Sequence, residues 1–269
     1  MFKAKKGRDP YTPTIKEALT GPYHNEFVEA MSIEINELES HGTWKIIPQS
    51  QVPSNAQIIP LTWAFKIKRW PDGLLRKIKA RICVRGDLQT EGVDVFDTYS
   101  PVASWTSIRM LSVLALQRGW VTRLIDFSNA FVQTPLNKDV FVFLPPIFKD
   151  DKGNDPKGLC LKLHQCLYCI HIVPKLWDIY LEKGLRCSGF SPSHQDPGIY
   201  YGRGMAVAVY VDDVLFFGPN AEDMETVITE LQSSGFELKR EKGHDDTAYS
   251  FLGISPTERE GYIKLTQHG

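Results

Sequence analysis

Residues 205–218, Met-Ala-Val-Ala-Val-Tyr-Val-Asp-Asp-Val-Leu-Phe-Phe-Gly, set two adjacent acids, Asp212 and Asp213, inside an otherwise apolar run. The apolar residues on either side predict strands over 205–211 and 214–217, joined at the two acids as a tight hairpin. An ionised carboxylate buried without a partner is strongly destabilised, and two side by side also repel. Either the pair sits at a solvated turn tip, or it holds a cation. These residues alone leave both readings open, with the apolar flanks weighing toward a metal.

Asp126 adds a third acid. It ends a short apolar strand predicted over 121–126, and a turn of helix follows over 129–133. Taken singly, such an acid is more often a strand-end or capping residue than a ligand. If its strand lies beside the hairpin, however, three carboxylates converge at one sheet end. Hard oxygen donors in that number, completed by water and phosphate, suit Mg²⁺, with Mn²⁺ as a substitute. Two such ions about 4 Å apart would activate an attacking oxygen and stabilise a leaving pyrophosphate.

Charge is segregated along the chain. The formal net charge is −1, yet residues 66–85 carry eight bases (Lys66, Lys68, Arg69, Arg76, Lys77, Lys79, Arg81, Arg85) and one acid, Asp72. Residues 26–39 carry five acids and no Lys or Arg. One surface is therefore suited to phosphates and another is not, although a basic run is in general more often a solvated face. The basic segment predicts a hairpin, with a strand over 63–68, a Pro71-Asp72-Gly73 turn and a return strand over 74–84. No apolar stretch approaches the roughly 20 residues needed to span a bilayer. Five unevenly spaced cysteines suit a reducing compartment better than a disulfide framework, so an intracellular protein is expected.

The rest of the pattern mixes helices and strands irregularly, which predicts an α+β fold. Phe27, Met31, Ile35 and Leu38 mark one face of a helix over 26–39, with the glutamates elsewhere. Ser104 caps a helix running to Arg118 that is apolar on most sides and so expected to be buried. Strands are expected over 140–144, near 248–254 and over 261–265, and a polar loop over 149–158. Pro174 opens a helix through Trp177 and Leu181, and Met224, Val227, Ile228 and Leu231 mark another.

Several blocks in order resemble one family. They are Gly42-Thr-Trp44, Trp63-Ala-Phe-Lys-Ile-Lys-Arg69, Lys79-Ala-Arg-Ile-Cys-Val-Arg-Gly86, Phe96-Asp-Thr-Tyr-Ser-Pro-Val-Ala103, Asp126-Phe-Ser-Asn-Ala-Phe131, Leu144-Pro-Pro146, Tyr210-Val-Asp-Asp213 and Phe251-Leu-Gly-Ile254. Together they resemble the copia-type retrotransposon reverse transcriptases, the family of RNA-directed DNA polymerases within Pol polyproteins. That resemblance implies a right-hand polymerase fold of fingers and palm, with an antiparallel palm sheet carrying the Tyr-Val-Asp-Asp hairpin and the thumb mostly absent. Residues 1–40 are expected as a flank with an amphipathic helix, and 41–269 as fingers and palm. The fingers would be mainly 41–120 and 150–180, the palm mainly 120–148 and 181–255.

The resemblance also implies roles. Asp126, Asp212 and Asp213 match the catalytic acids that hold two Mg²⁺ ions. Lys79 and Arg81 match the residues that meet the incoming triphosphate, and Phe127 and Phe131 belong to the nucleotide site. Phe131 would be the bulky residue that excludes a ribose 2′-hydroxyl; without the resemblance, an aromatic there is more often core. The implied partners are an RNA/DNA primer-template and dNTPs, with RNase H, integrase and protease regions outside these residues. Cytoplasmic particles, and then the nucleus, are the implied locations.

One block departs from the family. Where it reads Leu-Tyr-Gly-Leu-Lys-Gln-Ala-Pro-Arg, this chain has Leu167-Tyr-Cys-Ile-His-Ile-Val-Pro-Lys175, so Cys169, His171 and Ile172 replace Gly, Lys and Gln. In the family that stretch packs against the nascent base pair and template; Cys169 is expected to deny the backbone that close approach, and Ile172 removes a hydrogen-bonding amide. Asp87 stands where the family has an apolar or aromatic residue. Cys160, His164, Cys166, Cys169 and His171 offer soft ligands, but one Cys-x₂-Cys without a second pair points to free thiols, not zinc. Three readings stay open: an active polymerase, an inactive truncated remnant, and a nucleic-acid-binding module without catalysis.

Overall fold

The computed structural model describes Asp9, residues 11–70, 72–89, 100–145, 148 and 156–240, and the backbone of 254–259 and 262–267. The helices are α1 (Ile15–Thr20), α2 (His24–Ser40), α3 (Trp105–Arg118), α4 (Val173–Cys187) and α5 (Ala221–Ser233). The first strands are β1 (Trp44–Pro48), β2 (Ile58–Ile59), β3 (Leu61–Arg69), β4 (Leu75–Val84), β5 (Val121–Phe127), β6 (Phe141–Val142) and β7 (Leu159–Leu163). They are followed by β8 (Ser191–Pro192), β9 (Ile199–Gly202), β10 (Met205–Tyr210), β11 (Asp213–Gly218), β12 (Leu238–Arg240), β13 (Ile254–Arg259) and β14 (Tyr262–Gln267). The chain divides into two compact units, Met1–Phe96 with Pro135–Val173, and Asp97–Thr134 with Pro174–Gly269. No helix among the described residues is long and apolar enough to cross a membrane.

In the first unit β3 and β4 form the expected basic hairpin. Its two faces separate cleanly because side chains alternate along a strand. Leu61, Trp63 and Phe65 with Ile78, Ala80 and Ile82 are buried, and the Phe65 ring meets Phe27 of α2 edge-on at 5.1 Å. α2 buries Phe27, Met31, Glu34 and Leu38. This corrects the expected apolar stripe: the helical period gives the inner position to Glu34 and leaves Ile35 half-buried. A four-stranded sheet, β1-β7-β6-β2, completes the unit. The strand expected over 140–144 is limited to Phe141–Val142, which pair with β7 on one side and β2 on the other.

The second unit is built on a six-stranded antiparallel sheet, β12-β5-β11-β10-β9-β8. β10 and β11 read as near-continuous apolar runs because both faces are covered. Ile125, Phe127, Val207, Val209, Val214 and Phe216 pack with Trp177 and Leu181 of α4 and with Met224, Val227 and Ile228 of α5. Leu124, Ala206, Ala208, Leu215 and Phe217 pack with Ile108, Leu111 and Ala115 of α3. α3 matches its expected span: Ser104 Oγ accepts from Ser107 N at 3.2 Å, and Gly119 ends it at φ 62°. It is not buried on most sides, since Met110 and Val113 are exposed. One helix packed on one sheet face buries only a stripe.

Of the sequence expectations, Pro71, 96–99, Pro146, most of the 149–158 loop and 248–253 lie outside the described residues.

Candidate functional site

The hairpin turn differs by one residue from its expected position. Tyr210 pairs with Asp213, so Val211 and Asp212 are the turn and Asp213 begins β11. Val211 has φ 57°, as the first position of a II′-type two-residue turn requires and as a β-branched residue strongly disfavours. Neighbouring elements hold it there. Trp177 Nε1 of α4 donates to the Val211 carbonyl at 2.7 Å, and Phe127 N of β5 donates to the Asp212 carbonyl at 2.9 Å. Strain of this kind persists only where the surroundings over-determine it.

Antiparallel pairing of β5 with β11 sets Asp126 directly opposite Asp213. Both continue the rows of Leu124 and of Leu215 and Phe217, so they belong to the sheet face that α3 covers. Asp126, Asp212 and Asp213 are all half-buried. On its other side β5 pairs with β12, which sets Lys239 opposite Asp126. Sequence reading missed Lys239, because β12 is only three residues long and lies more than a hundred positions from its partner. That register brings a cation to the strand next to the acids.

Among the described residues no group of three or more His, Cys, Asp or Glu side chains is gathered closely enough to hold a metal ion. The zinc-like residues of the 160–171 stretch are likewise dispersed: Cys160 and Cys166 are buried, while Cys169 is exposed. The carboxylate set still fits Mg²⁺ by its chemistry. That ion prefers one or two protein carboxylates and keeps water and phosphate for the remaining positions, so it needs no closed protein cage.

Phe127 is buried, edge-on to Trp177 at 5.2 Å and to Phe236 at 5.5 Å. Its ring belongs to the core and leaves only backbone to face a ligand. Phe131 is half-buried against the same core, and Asn129 before it turns the chain at φ 50°.

In the first unit, the outer face of the hairpin concentrates charge. Lys66 lies opposite Lys79, Lys68 opposite Lys77, and Ala64 opposite Arg81. Like charges directly opposite destabilise a strand pair. The Arg81 guanidinium lies over the Tyr168 ring at 5.0 Å, within cation–π range. Beneath, Glu34 accepts from Ile82 N at 3.2 Å. Burial pushes its carboxyl up to about 7, although that hydrogen bond and the charges of Arg81 and Lys79 act in the other direction.

The departures from the family block have structural counterparts. Cys169 adopts φ 68°, the left-handed backbone that favours glycine. The Cys169 carbonyl seats against Gly86, where any Cβ would collide with it. Asp87 pairs with Arg85 through two hydrogen bonds, 2.8 and 2.7 Å.

Residues 41–269 match the family described as reverse transcriptase (RNA-dependent DNA polymerase), and the chain belongs to that family. The mixed α and β architecture agrees with such a domain. Its similarities are to copia-type elements. It is 35% identical over 242 residues, 88% of this chain, to the retrovirus-related Pol polyprotein from transposon RE1 of Arabidopsis thaliana, of which it covers 16%. It is 34% identical over 243 residues to that from transposon RE2 of the same plant, covering 89% of this chain and 16% of the relative. Against the polyprotein from transposon TNT 1-94 of Nicotiana tabacum it is 27% identical over 231 residues, covering 84% and 17%. The chain thus spans less than a fifth of the length of these relatives.

Proposed function

We propose that this chain carries the RNA-directed DNA polymerase site of a copia-type Pol polyprotein, adding dNTPs to a primer 3′ end. The observation that carries this reading is the strand register that sets Asp126 opposite Asp213, with Asp212 next to them in the strained turn. In this reading the second unit is the palm and the first the fingers. Asp126, Asp212 and Asp213 hold the metal. Bound Mg²⁺, two ions in this chemistry, would neutralise the transferring phosphate and activate the attacking oxygen. Lys79 and Arg81 bind the triphosphate, Arg81 by paired hydrogen bonds and Lys79 as a point charge. Phe127 fixes the floor by packing, and Phe131 bounds the sugar. Primer extension on an RNA template, with and without Mg²⁺, tests the assignment. Extension should be abolished by Asp212→Asn, and an unchanged rate in that variant would sink it.

A second reading, nucleic-acid binding without catalysis, is favoured by the lysine pairs of the β3–β4 hairpin. It expects salt-sensitive binding with no extension, because phosphate contacts release counterions. The replacement of family residues by Cys169, His171 and Ile172 supports an inactive remnant. A gain of extension on Cys169→Gly with Ile172→Gln would show that these replacements limit activity.

A further inference from the structure

Two thiols meet in the first unit, at the end of the basic face. Cys83 continues the outer row of Lys77, Lys79 and Arg81 on β4, yet it is buried, whereas Cys169 is exposed. Cys83 forms an isolated parallel bridge with Tyr168, and Val84 N donates to the Tyr168 carbonyl at 2.9 Å. One residue on, the left-handed backbone of Cys169 and the missing Cβ of Gly86 let the segment lie flat on β4. His171 N donates to Gln89 Oε1 at 3.1 Å and ties its far end. Cys169 follows Tyr168 directly, so this bridge sets its thiol beside that of Cys83, which it helps to raise. Cys160 and Cys166 are buried, and exposed Cys187 belongs to the other unit.

We propose that Cys83 and Cys169 are a redox-responsive pair that closes a reversible disulfide when the chain meets a peroxide. Exposed Cys169 reacts first. Its thiolate takes one oxygen from hydrogen peroxide, giving a sulfenic acid and hydroxide. The Cys83 sulfur then attacks the Cys169 sulfur; the S–S bond forms, the S–O bond breaks, and the departing hydroxide leaves as water with the Cys83 proton. Burial and the neighbouring thiol push Cys83 up to about 12, so it stays protonated until this second step. The closed pair fastens the 168–171 turn to β4 and so fixes the Arg81–Tyr168 stack. It also restricts the unfolded chain, since the two cysteines are far apart in sequence.

Brief treatment of the dilute full chain with hydrogen peroxide, followed by alkylation in denaturant and peptide mapping, tests this. The free-thiol count should fall from five to three as two thiols are consumed. A peptide joining Cys83 to Cys169 should appear and vanish with dithiothreitol, and Tm should rise in the oxidised form. Cys187→Ser should leave this result unchanged, whereas Cys83→Ala should stop the reaction at oxidised Cys169. Retention of all five thiols, Cys169 joined to another cysteine or a second chain, or wild-type Cys169 halting as a lone oxidised residue would each overturn the proposal. Mapping the wild-type chain decides the matter even if a variant fails to fold.

Discussion

The indole N–H of Trp177 donates to the carbonyl oxygen of Val211, 2.7 Å away, and so ties α4 to the strained turn between β10 and β11. Trp177→Phe keeps most of the ring packing and removes the donor. A partly buried carbonyl left unpaired costs about 1–3 kcal/mol. The urea midpoint of Trp177→Phe should therefore fall, and primer extension with it. An unchanged midpoint would mean the turn is held without this bond.

Asp126 and Asp213 occupy opposed positions on adjacent strands, so their charges repel when no cation is bound. Asp213→Asn should then raise metal-free stability by about 0.5–1 kcal/mol while abolishing extension. Lys239, opposite Asp126 on the other side, makes the reverse prediction. Lys239→Met should lower metal-free stability, and that loss should shrink as Mg²⁺ is added. Thermal melts across a Mg²⁺ series check both.

On the β3–β4 hairpin, Lys66→Glu converts an opposed lysine pair into an opposed acid–base pair with Lys79. Stability should rise by about 0.5–1 kcal/mol at low salt. Binding to a primer-template should weaken, and the slope of log K against log salt should become shallower by about one to two. Equal binding by the variant and wild type would remove this face from the nucleic-acid contact.

Glu34 makes stability depend on pH. Its folded value of about 7 lies above the ordinary 4.5, so between these values the folded chain holds a proton that the unfolded chain has lost. The contribution is full below pH 4.5 and is lost as pH rises through 7, amounting to about 3 kcal/mol. Glu34→Gln should flatten that part of the stability–pH curve. Asp178, raised by burial to about 6, adds a slope of the same sign in the second unit. A Glu34→Gln curve parallel to wild type would reject the assignment.

Elements with a strong period were legible in the sequence. Ser104 marked the start of α3 and its span to Arg118, and alternation over residues 63–68 with a return strand over 74–84 gave the basic hairpin. The acids of the candidate site were legible as candidates, because carboxylates in an apolar strand need an explanation. What escaped depended on pairing between distant residues. The turn falls at Val211–Asp212 because Tyr210 pairs with Asp213, a register that local composition leaves free by one residue. Lys239 joins the acids only through β12, and the partner that satisfies Glu34 at its inner helix position, Ile82 N, lies on another element. The seat of the Cys169 carbonyl escaped too, because it depends on Gly86, which lies more than eighty positions away in the chain.

The two-residue link between β10 and β11 has an evolutionary consequence. Because both faces of the sheet are covered and side chains alternate, one residue inserted after Asp213 and kept in the β11 ladder would turn every following side chain of β11 to the opposite face. Leu215 and Phe217 would exchange sides with Val214 and Phe216, and both helical layers would have to repack at once. Substitutions in this segment can be tested singly by drift, whereas a change in its length must be accepted or rejected whole. Length conservation between Tyr210 and Gly218 should therefore outlast the identities of most residues inside it.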